Sequence, residues 1–149
     1  MTQITKAVNE PILSFAAGSP ERASLQAKYD EMATQTIEIP LIIDGKEIKT
    51  GDTGNCVMPH NHQHILATYH KAGETEVIQA IDAAMKSWKT WSTTTLEERT
   101  KIFRKAAELL QGPWRDTINA ATMLNQSKNA FQAEIDAACE LIDFFNFNA

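Results

Sequence analysis

The sequence predicts an α+β chain in which a small antiparallel β unit is followed by four helices. Between residues 36 and 71, β-branched residues dominate, and Asp44-Gly45 is the dipeptide typical of a two-residue hairpin turn. Beyond residue 71, apolar residues recur at helical spacing, and Gly112-Pro113 separates two of the helices. The length of 149 residues suits one domain of ordinary size.

A further helix precedes the β unit. Ser19 can cap its N-terminus, Pro20 suits the first helical position, and we expect the helix to run to about Ala33. Its larger apolar residues are Leu25 and Met32, which indicates a surface helix. Residues 1–35 are therefore predicted to be an N-terminal extension with one surface helix, and residues 36–149 a separate domain.

The β unit is predicted to contain two strands that form the hairpin and two that follow it. They are expected at about Ile37–Ile43, Lys46–Thr50, Cys56–Met58 and His64–His70. Pro40 cannot donate a ladder hydrogen bond, so it marks the first strand as an edge strand or places a bulge in it. The third strand is expected to be broken.

The first three of the four helices have clear signals. The stretch "ETEVIQAIDAAMKSWKTW" carries one apolar stripe, and we interpret Trp88, Trp91 and also Trp114 as packing residues. Thr95 and Glu98 form a capping box for the next helix. The third helix is expected at about Pro113–Leu124.

The last helix is predicted to begin after Asn129, with Gln132 three residues on. Its stripe contains Phe131, Ile135, Ala138, Ile142 and Phe145. Leu141 and Phe144 widen this face beyond what a surface helix needs. We therefore expect the chain to be incomplete at its C-terminus and prone to associate through that apolar helix.

Composition excludes several classes of function. The formal net charge is −5 and the chain has no basic patch, so nucleic acid is not an expected partner. No apolar run approaches the ~20 residues that span a bilayer, and the N-terminus has no apolar region typical of a signal peptide. Two cysteines provide no disulfide framework, which favours a cytoplasmic location.

The histidines suggest a metal site. His60, His62 and His64 are spaced so that they share one face of a strand, and His70 is a possible fourth ligand. The neighbouring Pro59 and Asn61 instead favour a polar turn that leads into a strand. We prefer the turn and assign no metal ligand, because a spacing match alone needs structural confirmation.

Neither cysteine is predicted to be a nucleophile. Cys139 is expected in the middle of a helix beside Glu140, where an acid opposes thiolate formation, so core packing is preferred. Nothing near Cys56 would activate it. Glu140 lies beside phenylalanines, so either a specific binding role or a solvated surface position is possible from spacing alone.

Much of the chain, from about Val8 to Ala149, resembles the aldehyde dehydrogenase superfamily. The stretches "LIIDGKEIKTGDTGN" and "ERTKIFRKAAELL" look like its opening hairpin and an early helix. The stretches "VNEPILSFAAGSPER" and "NQSKNAFQAEIDAACELIDFFNFNA" are similar to its 1-pyrroline-5-carboxylate dehydrogenase branch. The resemblance implies the α/β fold of that family, with residues 36–149 as an incomplete N-terminal part of the cofactor domain.

The resemblance also implies a reaction. Members oxidise L-glutamate γ-semialdehyde to L-glutamate with NAD, in proline degradation, through a cysteine thiolate and a glutamate that activates water. In the family these catalytic residues lie beyond the part that this chain resembles, so no catalytic residue is assigned here and the NAD-binding residues are unknown. Glu140 aligns with a glutamate near the substrate. The isolated chain is expected to be inactive, and the full-length enzyme is expected to be a homo-oligomer.

Two alternatives stay open. The chain could be a non-catalytic module that docks onto a partner through its apolar last helix, with the histidine cluster holding a metal. Relatives in mitochondria carry a transit peptide, whereas this chain begins almost at the first motif of the family. A cytoplasmic location is therefore preferred, and the mitochondrial matrix is the alternative.

Overall fold

The computed structural model describes residues 7–149. They divide into two compact units. Unit 1 combines the described part of residues 1–35 with residues 95–149, and unit 2 contains residues 36–94. The expected N-terminal extension thus belongs to the same compact unit as residues 95–149. The assignment of residues 36–149 to one cofactor domain stays a prediction.

Five strands and a set of helices make up the described chain. In chain order the elements are α1 (Pro20–Ala33), β1 (Ile37–Ile39), β2 (Leu41–Ile43), β3 (Lys46–Ile48), β4 (Thr53–Met58), β5 (Asn61–His70), α2 (Glu74–Trp91), α3 (Leu96–Gln111), α4 (Arg115–Gln126), α5 (Ala130–Ala133), a π-helical turn (Glu134–Cys139) and α6 (Glu140–Phe147). None of the described helices is both long and apolar enough to cross a membrane.

Unit 2 contains the predicted hairpin. Strands β2 and β3 pair antiparallel around Asp44-Gly45, and both of these residues have positive φ, at 51° and 73°. This conformation suits a two-residue hairpin turn and explains the glycine. The predicted strand Ile37–Ile43 is divided at Pro40 into β1 and β2, which belong to different sheets, because proline cannot continue a ladder of hydrogen bonds. Strand β1 lies at the edge of the three-stranded sheet β1-β5-β4, as the proline predicts.

The expectation of a wholly antiparallel unit needs correction for one pair. Strands β4 and β5 are antiparallel, but β1 pairs parallel to β5, with Ile37 opposite Ala67 and Ile39 opposite Tyr69. A parallel pair needs a long connection, and here the hairpin and β4 lie between its two strands. Sequence patterns identify strands but do not reveal such distant pairings.

Strand β4 is longer than the predicted segment, and its register shifts around Val57. The expected break is therefore a bulge within a continuous strand. Gly54 lies opposite Tyr69, and a Cβ atom at Gly54 would lie only 2.5 Å from Cζ of that ring. Glycine is required there because the tyrosine ring packs against the backbone.

Helix α2 begins and ends as its pattern predicts, but none of its side chains is buried within the described residues. Trp88 is 60% exposed, and Trp91 and Trp114 are also exposed. Their interpretation as packing residues is wrong for this chain. Periodicity reports that a helix has an apolar face, but it does not report whether anything covers that face.

Unit 1 has a small core where α1 packs against α4. The core consists of Phe15, Leu25 and Ala120, and Leu25 is the one buried residue of α1. The predicted start of α1 is confirmed, because Ser19 Oγ accepts the Arg22 N–H at 3.3 Å. These contacts attach the N-terminal part of the chain to the helices that follow the β unit.

Two predicted capping boxes of unit 1 are also present. Thr95 and Glu98 exchange hydrogen bonds at the start of α3, and Asn129 and Gln132 do so at the start of α5. Pro113 instead lies in a turn, and α4 begins at Arg115, two residues later than predicted.

Candidate functional site

The helix that carries Glu140 is not regular. Between α5 and α6 it widens into a π-helical turn, and the Glu140 N–H donates to the Ile135 carbonyl, five residues earlier. Such wide turns are rare in proteins, but many of those that occur are at functional sites. The turn contains Glu134, which is fully buried, and Cys139, which is 4% exposed.

A buried polar cluster lies beneath the π turn. Its members are Arg115 and Asn119 of α4 and Glu134 of the turn. The Arg115 Nε lies 3.2 Å from Oε1 and 3.3 Å from Oε2 of Glu134, and Arg115 Nη2 also donates to Oε1. The Asn119 Nδ2 donates to Oε2 at 2.7 Å. A planar guanidinium suits a carboxylate in this way because its N–H groups match the two oxygens.

The N-terminal segment completes the cluster. Arg115 Nη1 lies 2.5 Å from a Glu10 oxygen, and Nη2 donates to the Pro11 carbonyl at 2.8 Å. The Leu13 N–H donates to Glu134 Oε1 at 2.9 Å. Arg115 therefore bridges two carboxylates, and segments more than a hundred residues apart in the chain meet at one guanidinium.

These contacts determine ionisation in the cluster. Burial alone would raise the pKa of Glu134, but hydrogen bonds from Arg115, Leu13 and Asn119 outweigh burial and hold that pKa below its ordinary value. Burial alone would lower the pKa of Arg115, yet hydrogen bonds to Glu134 and Glu10 raise it. Arg115 and Glu134 are therefore both charged at neutral pH.

Cys139 adjoins the cluster. Its Sγ lies 3.5 Å from Arg115 Nη2 and 3.7 Å from Glu134 Oε1. Burial, with the negative charge of Glu134, raises the pKa of the thiol to about 11. The thiol is therefore protonated at neutral pH, which agrees with the packing role expected for Cys139 and makes it a poor nucleophile.

Glu140 directly follows the π turn. It is exposed and lines a groove of about 320 Å³ between α4 and the last helix. The groove is lined by apolar, uncharged polar and charged side chains: Ile118, Thr122, Gln126, Lys128, Asp136, Ala137, Leu141 and Phe144. Lys128 Nζ lies 2.5 Å from an Asp136 oxygen at one side. The groove thus contains an exposed carboxylate, that of Glu140, beside an apolar wall.

All four histidines lie on β5 or in the turn before it. His60 lies in the turn before β5, whereas His62 and His64 are on that strand. Throughout residues 7–149, no group of three or more His, Cys, Asp or Glu side chains could hold a metal ion. His70 is buried, its Nδ1 accepts the Gly51 N–H, and its Nε2 lies 2.9 Å from a Glu38 oxygen.

The cluster of Arg115, Asn119 and Glu134 was not predicted from the sequence. A signal for Glu134 exists, because it lies four and eight residues before Ala138 and Ile142 of the predicted stripe. A carboxylate on an apolar stripe indicates a buried, paired charge. No comparable signal identifies Arg115 as its partner, because that pairing depends on how α4 packs.

Comparison with known proteins identifies the family of this chain. The family described as "Aldehyde dehydrogenase family" matches residues 47–149. Delta-1-pyrroline-5-carboxylate dehydrogenase of Agaricus bisporus is 48% identical over 140 residues, which are 93% of this chain and 26% of that protein. The mitochondrial enzyme of that name from Homo sapiens is 43% identical over 99% of this chain and 26% of its own length.

Solved structures agree with these relatives. The crystal structure of the Mycobacterium tuberculosis Delta-pyrroline-5-carboxylate dehydrogenase bound with NAD has a TM-score of 0.96 to this chain at 42% identity, covering 99% of this chain and 28% of that one. This chain therefore spans about a quarter of the length of its relatives. The family match covers well over half of its residues, and the chain belongs to the aldehyde dehydrogenase family.

Proposed function

We propose that this chain is the N-terminal part of an NAD-dependent dehydrogenase that oxidises L-glutamate γ-semialdehyde to L-glutamate in proline degradation. The semialdehyde arises from 1-pyrroline-5-carboxylate by ring opening. The supporting observation is the similarity to pyrroline-5-carboxylate dehydrogenases, which covers at least 93% of this chain at 42–48% identity.

Within this proposal, Glu140 contacts the substrate. Its carboxylate is exposed in the groove and forms no ion pair with any of residues 7–149. The substrate is an amino acid, so its ammonium group is the cation that a carboxylate would bind. Leu141 and Phe144 place apolar surface beside this carboxylate, and a less polar surrounding strengthens such a pair.

The reaction removes a hydride from the aldehyde carbon, and NAD supplies the acceptor in this family. Dinucleotide phosphates are usually held by a glycine-rich turn at a helix N-terminus. Within the described chain only Gly73 stands immediately before a helix, and Glu74 and Glu76 in that first turn would repel phosphate. We therefore assign no NAD contact to these residues and expect them alone to bind NAD poorly.

The proposal predicts that these 149 residues alone produce no NADH, whereas the complete polypeptide does so. The test is NADH formation from L-glutamate γ-semialdehyde, measured with both proteins at equal concentration. A clear rate from the 149 residues would contradict the proposal that the catalytic residues lie elsewhere in the complete polypeptide. An inactive complete polypeptide would contradict the proposed reaction.

We further propose that the full-length enzyme is a homo-oligomer in the cytoplasm. Its mass in solution and fractionation of its natural source would test these two statements. The mitochondrial matrix is the alternative location, because the names of several relatives include the word mitochondrial.

A non-catalytic binding module is the second candidate. It is favoured by the exposure of Phe144 and Phe147 on α6, which would suit docking onto another protein. A module of that kind should be a stable monomer or defined dimer. Undefined association of the 149 residues would speak against it.

A further inference from the structure

Glu134 is the most completely buried charged side chain of the described residues, and the proposed reaction gives it no role. It has no solvent exposure, and it accepts hydrogen bonds from Arg115, Asn119 and Leu13. An ionised carboxylate needs such partners, because burial without them is very unfavourable. Its environment is therefore specified by two other segments of the chain, α4 and the N-terminal segment that contains Leu13.

The same contacts require the π turn. Glu134 and Cys139 both face Arg115, and they are five residues apart. In a regular α-helix, residues five apart point about 140° away from each other. A π turn, with its i→i+5 hydrogen bonds, brings them to the same side. Here that bond joins the Ile135 carbonyl to the N–H of Glu140 itself.

The turn therefore determines where Glu140 points. A wide turn holds one residue more than an α-helical turn, which corresponds to a rotation of roughly 100° for everything that follows it. Glu140, Leu141 and Phe144 line the groove in this register, while Ile142 is fully buried. In an uninterrupted α-helix, either Glu140 would leave the groove or Glu134 would leave Arg115.

We propose that Glu134 is a positioning residue: held by Arg115 and Asn119, it maintains the π turn that directs Glu140 into the groove. This inference rests on the proposed function only in that Glu140 contacts the substrate. The statement about the π turn itself can be tested without any reaction.

The first test is crystallographic and uses the complete polypeptide. Glu134→Gln removes the charge but keeps the shape, and its amide N–H₂ would face the Asn119 Nδ2 donor. We expect the Glu140 N–H to lose its bond to Ile135 and the Glu140 side chain to leave the groove. In Glu134→Gln/Asn119→Asp the charge and the donor exchange places, so the π turn should return.

The second test is kinetic. For Glu134→Gln we expect the KM for L-glutamate γ-semialdehyde to rise about tenfold, while kcat stays within about twofold, because a misplaced binding group weakens ground and transition states alike. The double variant should restore the KM. The KM for a short aliphatic aldehyde, which has no ammonium group, should not change. Glu97→Gln, an exposed carboxylate on α3, is the matched control.

The outcomes separate the two proposals. An intact π turn with an unchanged KM in Glu134→Gln would overturn the positioning role, even if Glu140→Gln raises the KM. An inactive wild-type enzyme would instead overturn the proposed function, and the crystal structures would still decide the positioning role. If Glu134→Gln does not fold, Asn119→Ala removes one donor to the same carboxylate, and an unchanged turn and KM there would overturn the proposal.

Discussion

Arg115 and Glu134 form a buried ion pair in which the guanidinium Nε lies 3.2 Å and 3.3 Å from the two carboxylate oxygens. Glu10 adds a second carboxylate to the same guanidinium. The pair joins α4, the π turn and the N-terminal segment, so its loss affects all three.

Arg115→Met should destabilise unit 1 strongly. Removing the guanidinium leaves Glu134 buried without its cation, and breaking a buried pair in this way typically costs about 3–5 kcal/mol. Urea unfolding, followed by circular dichroism, would measure the loss. Arg104→Met, at an exposed arginine of α3, is the control and should change the unfolding free energy little. A loss no larger than the control's would contradict a structural role for the pair.

The stability contributed by Glu134 should depend on pH. Because the pKa of Glu134 in the folded state lies below its unfolded value of about 4.3, the carboxylate stabilises the fold above that pH. The contribution disappears as the pH falls through the folded-state pKa. The difference in unfolding free energy between wild type and Glu134→Gln should therefore be largest near about pH 6, above the unfolded pKa, and should become smaller as the pH falls toward about 3. A difference that is constant across this range would show that the charge of Glu134 is not involved.

The two cysteines should differ in reactivity. Cys139 is buried and its pKa is raised to about 11, whereas Cys56 is partly exposed. A thiol reagent at neutral pH should label Cys56 first, and Cys139 only slowly unless denaturant is added, because the thiolate is the reacting form. Peptide mass mapping would locate the label. Cys56→Ala should abolish the fast phase, and fast labelling of Cys139 in that variant would contradict its burial.

Glu140→Gln should affect substrate binding but not folding. Its side chain is exposed, so the unfolding free energy should stay within about 0.5 kcal/mol of wild type. In the complete enzyme we expect the KM for L-glutamate γ-semialdehyde to rise about tenfold, as for loss of one charge-assisted contact. Glu47→Gln, an exposed carboxylate on β3, is the matched control. Equal KM values for both variants would show that Glu140 does not contribute to substrate binding.

Self-association of the 149 residues should decrease when α6 gains a charge. Phe144 is 61% exposed, so Phe144→Lys removes apolar surface without opening a cavity. In sedimentation velocity, a smaller fraction of this variant than of the wild-type protein should sediment as large species. Asn125→Lys adds the same charge at an exposed polar position and should change the distribution less. If both variants behave alike, net charge and not the apolar face governs association.

Local features of this fold could be predicted from the sequence. The start of α1 at Ser19-Pro20, the hairpin at Asp44-Gly45 and the capping box of Thr95 and Glu98 are all present in the structure. Each depends on hydrogen bonds or backbone angles within about four residues, so the residues that determine it are neighbours in the chain. Glu140 was identified as a candidate through family resemblance, because its spacing alone did not distinguish binding from simple exposure.

Tertiary structure decided the rest. Glu134 finds its partners 15, 19 and 121 residues away, in Asn119, Arg115 and Leu13. The parallel pairing of β1 with β5 and the exposure of Trp88 likewise depend on distant packing. The sequence by itself determined where α1, α3 and the hairpin turn begin, because the local hydrogen bonds and steric effects that define them are short-ranged. Whether an apolar face is covered, and which buried charges pair, depends on which segments meet, and only the folded chain establishes those contacts.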